Sequence, residues 1–130
     1  MIDSRELSQR AEIVDALLSY TRGIDRLDKE SVISAFHPGA TLNNYGSDPM
    51  PIEDFVEYAL PSLEQRYSAT QHRVSNIRIE IKEDKALVES YVLAYHVKSS
   101  ESSKQLHTFC LLYTSPSPRD QRGSRMPSSA

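Results

Sequence analysis

Apolar side chains recur every three or four positions in the first 22 residues, which is the spacing of an amphipathic helix. Residues 4–22 therefore predict a first helix. Ser4 or Asp3 can cap its start, and Gly23 can end it in a left-handed conformation. One apolar stripe on this helix contains Leu7, Ala11, Val14 and Leu18, and Ile13, Leu17 and Tyr20 lie beside it.

Two further helices are predicted before residue 67. Asp28 is the expected N-cap of a short second helix, which the His37-Pro38-Gly39 segment ends. Pro51 stands in the first turn of a third helix, where proline is tolerated because that N–H needs no helical partner. Pro61 is expected to kink or end this helix.

The apolar period changes to two from Thr70 onward, which predicts β-strands. Isoleucines at 77, 79 and 81 share one face of the first strand, whereas Val74 is out of phase with them. A β-bulge near Asn76 would explain the change of phase and would bend the strand. A return strand over residues 85–97 is apolar on both faces, so helices should cover one face and a cavity or second subunit the other.

Three helices followed by a bent antiparallel sheet predict an α+β fold with the helices on one face of the sheet. A curved sheet wrapped on helices forms a cone with an interior pocket, which is a common place for small ligands to bind. Residues 104–109 begin a further strand of this sheet.

The last 21 residues, Cys110–Ala130, are predicted not to belong to the domain. The stretch has no hydrophobic period and contains three prolines, so we expect it to be disordered. Its segments CLLYTSPSPRD and SRMPSSA are the translations of a common sequencing-library adapter on either side of a three-codon index. We therefore interpret residues 110–130 as a non-native tail. The natural part is one domain over residues 1–109, incomplete at its C-terminus.

Composition without the tail narrows the function. The tail carries three arginines and one aspartate of the chain's fifteen basic and eighteen acidic residues, so the rest has a formal net charge of −5. This acidic excess argues against nucleic acid as a partner. The single cysteine, Cys110, lies in the tail, which excludes disulfides and Cys-ligated zinc in the domain. With no signal-peptide pattern and no apolar run near the roughly 18 residues of a membrane span, we expect a cytoplasmic protein without membrane contact.

The order of elements and three motifs resemble the SnoaL-like branch of the nuclear transport factor 2-like superfamily. The motifs are Tyr-x4-Asp-x2-Asp at 20–28, Phe-His-Pro at 36–38 and Thr-Gln-His-x3-Asn at 70–76. The resemblance covers nearly all of residues 4–109 and implies the cone described above. The superfamily contains dehydratases, isomerases, cyclases, dioxygenase small subunits and non-catalytic proteins, so its fold alone does not settle function.

The resemblance implies a site inside the cone. Scytalone dehydratase and bile-acid dehydratase place an aspartate at the end of the first helix and a histidine at the start of the sheet, which correspond to Asp25 and His72. Tyr20 matches a tyrosine of the bile-acid enzyme pattern. The expected substrate-binding residues are Tyr45 and His96, which match the scytalone enzyme pattern, and Asn76, which either contacts the pocket or satisfies the bulge backbone.

Dehydration next to a carbonyl requires a base for the α-proton, a donor to the carbonyl oxygen and an acid for the departing hydroxyl. His72 is suited to be the base, with Asp25 fixing its tautomer and Tyr20 donating to the developing enolate. Each also has a structural interpretation: His72 as a hydrogen-bonded strand residue, Asp25 as a turn residue and Tyr20 as a core tyrosine. No cofactor or metal is expected, because the histidines lack the spacing of a metal motif.

The leading hypothesis is a cofactor-free dehydratase or isomerase acting on a hydrophobic hydroxy-ketone, such as a steroid or polyketide. The alternatives are a non-catalytic ligand-binding module and a dioxygenase small-subunit-like module of the same fold. Members of this fold commonly pair their open sheet faces, so the intact protein is expected to be a homodimer or homotrimer.

Overall fold

The computed structural model describes residues 1–43, 48–98 and 104–116 of the chain, the last range by its backbone alone. The helices are α1 (Ser4–Asp25), α2 (Lys29–Ser34) and α3 (Ile52–Arg66), and the strands are β1 (Thr41–Leu42), β2 (Met50–Pro51), β3 (Tyr67–Lys82), β4 (Lys85–Lys98) and β5 (Lys104–Pro116). None of the helices within these ranges is both long and apolar enough to cross a membrane.

The sheet and the helices form two layers around one core. Strands β3, β4 and β5 are antiparallel neighbours in that order, and β1 pairs with β2 in a separate short ladder. The core joins apolar side chains of all three helices to the inner face of β4; its largest fully buried members are Phe36, Leu17, Ile52, Val32, Val56 and Val88. The prediction of an α+β fold with helices on one face of the sheet is confirmed.

A β-bulge bends β3 where the change of apolar phase predicted it. The pairing of β3 with β4 shifts register between Ser75 and Arg78, and Asn76 has a left-handed φ of 53°. Asparagine adopts this conformation more readily than other residues with a Cβ. The extra residue returns Val74 to the same face as Ile77, so both pack against the core.

Helix α1 buries a different stripe from the one that contains Leu7 and Leu18. Those two side chains are 62% and 48% exposed, and the core side chains of α1 are instead Ile13, Ala16, Leu17 and Ile24. The buried face of α1 therefore follows the residues beside that stripe, Ile13 and Leu17. Both stripes repeat at helical spacing, and only the packing of α1 against the sheet decides which of them is covered.

The predicted end of α1 at Gly23 was wrong, and α3 does not end at Pro61. Helix α1 continues through Gly23 to Asp25, and the left-handed φ of 54° falls on Leu27. Helix α3 likewise continues through Pro61 to Arg66. Pro61 is exposed, so water can bind the carbonyl of Glu57 that lacks its helical N–H partner.

The return strand β4 has one buried and one exposed face. The buried face carries Ala86, Val88, Ser90, Val92, Ala94 and His96. On the outer face, Leu87 is 39% and Tyr91 51% exposed, so Tyr91 faces away from the helices. An outer apolar surface fits the expected subunit contact, and the homodimer or homotrimer stays a prediction.

Strand β5 extends beyond residue 109, where the domain was expected to end. It pairs with β4 as far as Pro116 and so includes residues 110–116 of the expected disordered tail. The expectation that this stretch forms no strand was wrong for these seven residues. Its Leu, Tyr and Thr residues favour extended backbone. The edge of β4 provides backbone N–H and C=O groups with which a further strand can pair. The non-native origin of residues 110–130 stays a prediction, and residues 117–130 lie outside the described ranges.

The predicted cap of α2 is formed by Asp28. The Ser31 backbone N–H donates to Asp28 Oδ1 at 3.3 Å, and the Ser31 hydroxyl donates to Oδ2 at 2.8 Å. The Ser31 side-chain hydrogen bond, followed by the backbone bond, holds the pKa of the Asp28 carboxyl below its ordinary value. The ionised carboxylate therefore stabilises the folded state more than the protonated form does.

We expect Asp28→Ala to lower the thermal midpoint at neutral pH, because α2 loses its cap. Since the folded pKa of Asp28 is depressed, its contribution is complete above about pH 4 and is lost as the pH falls through the folded value. The gap in midpoint between wild type and Asp28→Ala should thus shrink on acidification, measured by circular dichroism against Asp28→Asn. A gap that is constant or widens in acid would show that the charge of Asp28 is not involved.

Candidate active site

The site lies where the C-terminal end of α1 meets the start of β3. Asp25 is the last residue of α1, and His72 is the sixth residue of β3. Thr70 and His72 lie on the same face of β3, because side chains two residues apart in a strand point the same way. An acidic residue at a helix C-terminus is unfavourable to the helix dipole, so its placement requires compensating donors.

Three hydrogen bonds converge on the Asp25 carboxylate. The backbone N–H of His72 donates to Oδ2 at 2.9 Å, and the Thr70 hydroxyl donates to Oδ1 at 2.9 Å. The ring atom Nδ1 of His72 lies 2.6 Å from Oδ1. An ionised carboxylate can only accept, so the proton of this last bond belongs to Nδ1, and Nε2 of the neutral ring is left as an acceptor.

Burial strengthens this Asp–His pair. The side chains of His72 and Asp25 are 11% and 21% exposed. At such partly shielded positions a charge-assisted hydrogen bond is stronger than in open water. The pair can therefore hold the imidazole in one tautomer and stabilise the imidazolium that forms when Nε2 accepts a proton.

A second histidine lies beside the first. The rings of His72 and His96 meet edge to face, with centroids 5.8 Å apart and an interplanar angle of 84°. His96 is buried, and its ring centroid is 4.5 Å from that of Tyr67. The Arg66 guanidinium lies 5.2 Å from the Tyr67 ring centroid. The rings of His72 and His96 are thus neighbours, Tyr67 lies against His96, and Thr70 contacts Asp25.

Sequence reasoning missed the parts played by Tyr67 and Thr70, although a signal for Thr70 was available. A threonine two residues before a histidine in a strand must share its face, so the Thr-x-His spacing already places a hydroxyl beside the imidazole. Tyr67 offered no such signal, because its approach to His96 depends on the register between β3 and β4 and on an irregularity between Tyr67 and Ala69.

The remaining predicted site residues have other positions. Tyr20 is half-buried against the core, with its ring edge-on to Phe36 at 5.5 Å, which is the contact of a core tyrosine. Asn76 is exposed at the bulge, which matches its alternative as a bulge residue. Tyr45 lies outside the described residues. The predicted roles of Tyr20, Asn76 and Tyr45 toward a substrate stay predictions.

The chemistry that this arrangement supports is proton transfer. Within residues 1–43 and 48–98, where side chains are described, no three His, Cys, Asp or Glu side chains are grouped as metal ligands would be. The Asp25–His72 pair instead has the geometry of a general base with its orienting partner.

Comparison with known proteins gives a family and a fold. Residues 5–115 match the family model described as the SnoaL-like domain. No curated protein matches the chain. A provisionally named scytalone dehydratase from Novosphingobium aromaticivorans superposes with a TM-score of 0.83 at 20% identity, over 97% of this chain and 84% of that chain.

Two further solved structures are similar. The hexachlorocyclohexane dehydrochlorinase LinA-type3 from Novosphingobium barchaimii has a TM-score of 0.76 at 18% identity, over 97% of this chain and 86% of that one. A nuclear transport factor 2-like superfamily protein from Salmonella enterica has a TM-score of 0.75 at 16% identity, over 92% and 87%. The fold is therefore nuclear transport factor 2-like, as predicted.

Proposed function

The chain belongs to the SnoaL-like domain family, and from that premise we propose that it is a cofactor-free dehydratase or isomerase of a small hydrophobic hydroxy-ketone. The observation that carries the proposal is the 2.6 Å contact between His72 Nδ1 and Asp25 Oδ1. It leaves the other ring nitrogen of His72 as a base near neutral pH.

The dehydration proceeds by elimination. Nε2 of His72 removes the proton next to the substrate carbonyl, and the electron pair of that C–H bond moves toward the carbonyl oxygen as an enolate. The enolate then reforms the carbonyl and a carbon–carbon double bond while the β-hydroxyl departs. The imidazolium of His72 returns the proton to that hydroxyl, which leaves as water. An isomerase would instead return the proton to another carbon of the enolate.

Three further residues have roles in the proposed reaction. Asp25 stabilises the imidazolium through its charge-assisted hydrogen bond. Tyr20 donates to the enolate oxygen. His96, whose ring meets that of His72 edge to face, contacts the substrate beside the base. A steroid or polyketide is the proposed substrate class.

The names of two structural relatives support elimination as the reaction class. One names a dehydratase, which removes water, and the other a dehydrochlorinase, which removes hydrogen chloride. Both reactions take a proton and a leaving group from neighbouring carbons, and a histidine base can begin either. At such low identity the relatives support the reaction class without specifying the leaving group.

A simple β-hydroxy-ketone tests this function. The aldol adduct of benzaldehyde and acetone loses water to form benzylideneacetone, whose conjugated enone absorbs in the ultraviolet. We expect the protein to accelerate the appearance of this band over a buffer blank, without added metal or cofactor. Saturable binding of the adduct with no enone formed would favour the alternative, a ligand-binding module. A protein that neither binds nor converts hydrophobic hydroxy-ketones would contradict the proposal.

A further inference from the structure

We propose that Thr70 is a positioning residue that fixes the Asp25 carboxylate and thereby the tautomer of His72. The inference rests on the proposed function in giving that tautomer a catalytic task. The contact itself is a hydrogen bond of 2.9 Å from the Thr70 hydroxyl to Asp25 Oδ1, the same oxygen that faces His72 Nδ1.

Two hydrogen-bond donors occupy Oδ1 of Asp25. A carboxylate oxygen has two lone-pair sites, and here one faces Thr70 and the other faces the His72 ring. Water therefore has no free site on Oδ1 from which to displace the ring. If the Thr70 hydroxyl is removed, one site opens beside a pair that is 11% and 21% exposed, which is enough for solvent to compete.

Two donors on β3 also restrict rotation of the Asp25 carboxylate. The terminal torsion of aspartate is broad, so a single anchor leaves the plane of the carboxylate poorly defined. In this structure the His72 backbone N–H holds Oδ2 and the Thr70 hydroxyl holds Oδ1. Both donors belong to one strand and are two residues apart, so β3 itself sets the plane against which the His72 ring is aligned.

Asp25 is the last residue of α1, where a carboxylate needs compensating donors. The negative end of the α1 dipole repels a carboxylate placed there. Donors from β3 offset that repulsion, and Thr70 supplies one whose loss does not alter the backbone. The hydroxyl thus keeps Asp25 an acceptor for the Nδ1 proton of His72, while Nε2 stays the base.

The test compares Thr70→Val, which keeps the β-branched shape but lacks the hydroxyl, with Thr70→Ser, which keeps the hydroxyl. The imidazole nitrogen chemical shifts of His72 in isotope-labelled protein report the tautomer without any substrate. We expect Thr70→Val to shift the tautomer population of His72 away from Nδ1–H, and we expect Thr70→Ser to retain the wild-type population. With the benzaldehyde–acetone adduct, kcat should fall roughly tenfold in Thr70→Val with little change in KM. Loss of a hydrogen bond to a charged group commonly changes an equilibrium or a rate by about that factor.

The outcomes separate this inference from the proposed function. Wild-type nitrogen shifts and wild-type kcat in Thr70→Val would overturn the positioning role, whatever happens to thermal stability. An altered tautomer in Thr70→Val, together with no turnover by the wild type, would support the role of Thr70 and contradict the enzyme. Equal loss of kcat in Thr70→Val and Thr70→Ser would also overturn the inference, because the retained hydroxyl should rescue.

Discussion

Replacing His72 with alanine is expected to lower the rate of enone formation from the benzaldehyde–acetone adduct by about a thousandfold, the usual contribution of a positioned general base. The variant removes the only group that the proposal assigns to take the α-proton. Its fold should persist, because the His72 side chain is not a member of the apolar core and the backbone N–H that binds Asp25 is retained. Initial rates and far-ultraviolet circular dichroism of the purified variant measure both effects.

Two further variants make the test of His72 more specific. Asp25→Asn keeps the shape but presents an amide to His72, which removes the charge that favours the Nδ1–H tautomer, so it should also be severely impaired. Gln71→Ala changes an exposed residue adjacent to His72 in β3 and should keep wild-type rates. If His72→Ala retains activity while folded, His72 is not the base and the proposed function fails. Loss of activity in Gln71→Ala would point to general damage to β3.

Local patterns in the sequence were sufficient for several features of the fold. The Asp28 cap depends on residues three positions apart, and the bulge at Asn76 follows from a change of apolar phase within one strand. The order of three helices and then long strands was likewise enough for the α+β class. Each of these features is decided by contacts along the chain or between adjacent strands, which sequence spacing records directly.

Features decided by packing between distant segments could not be predicted. Leu7 and Leu18 repeat with the same helical spacing as the buried residues of α1, so the periodicity of α1 does not identify the face toward the sheet. The common role of glycine at helix ends predicts that α1 ends at Gly23. In the structure Gly23 instead packs closely against Val32 of α2. The expectation for Pro61 similarly did not allow for its exposed position, which reduces the free-energy cost of a proline inside a helix.

The candidate site shows the same division. The resemblance to the family supplied Asp25 and His72, and the structure brings them into hydrogen-bond contact. Strand alternation places the Thr70 hydroxyl on the same face of β3 as His72. Its role as a donor to Asp25 is apparent only from the structure, in which Asp25 lies against that face. Tyr67 reaches His96 through strand register, which a single sequence does not reveal.

Gly23→Ala is expected to destabilise the protein by about 2–3 kcal/mol, although alanine is the better helix former by about 1 kcal/mol. A Cβ at position 23 would lie 2.7 Å from Val32 Cγ2, 2.8 Å from the Val32 backbone nitrogen and 3.1 Å from the Asp28 carbonyl oxygen. The Val32 side chain can rotate, but the backbone nitrogen cannot, so α1 and α2 must separate and open the core around Val32. Urea unfolding followed by circular dichroism measures the loss.

Gly39→Ala is the matched control, because it isolates the cost of backbone conformation from the cost of close approach. Gly39 has a φ of 80° but no atom within 4 Å of a Cβ built there, so alanine should cost only about 1–2 kcal/mol through its left-handed backbone. A Gly23→Ala protein as stable as wild type, or more stable, would mean that helix propensity outweighs the contact. The α1–α2 corner would then be loose enough to admit a methyl group.

Because α1 ends two residues later at Asp25, separation of α1 from α2 should also displace the carboxylate from His72 and lower the rate of enone formation. Gly39→Ala should leave that rate unchanged.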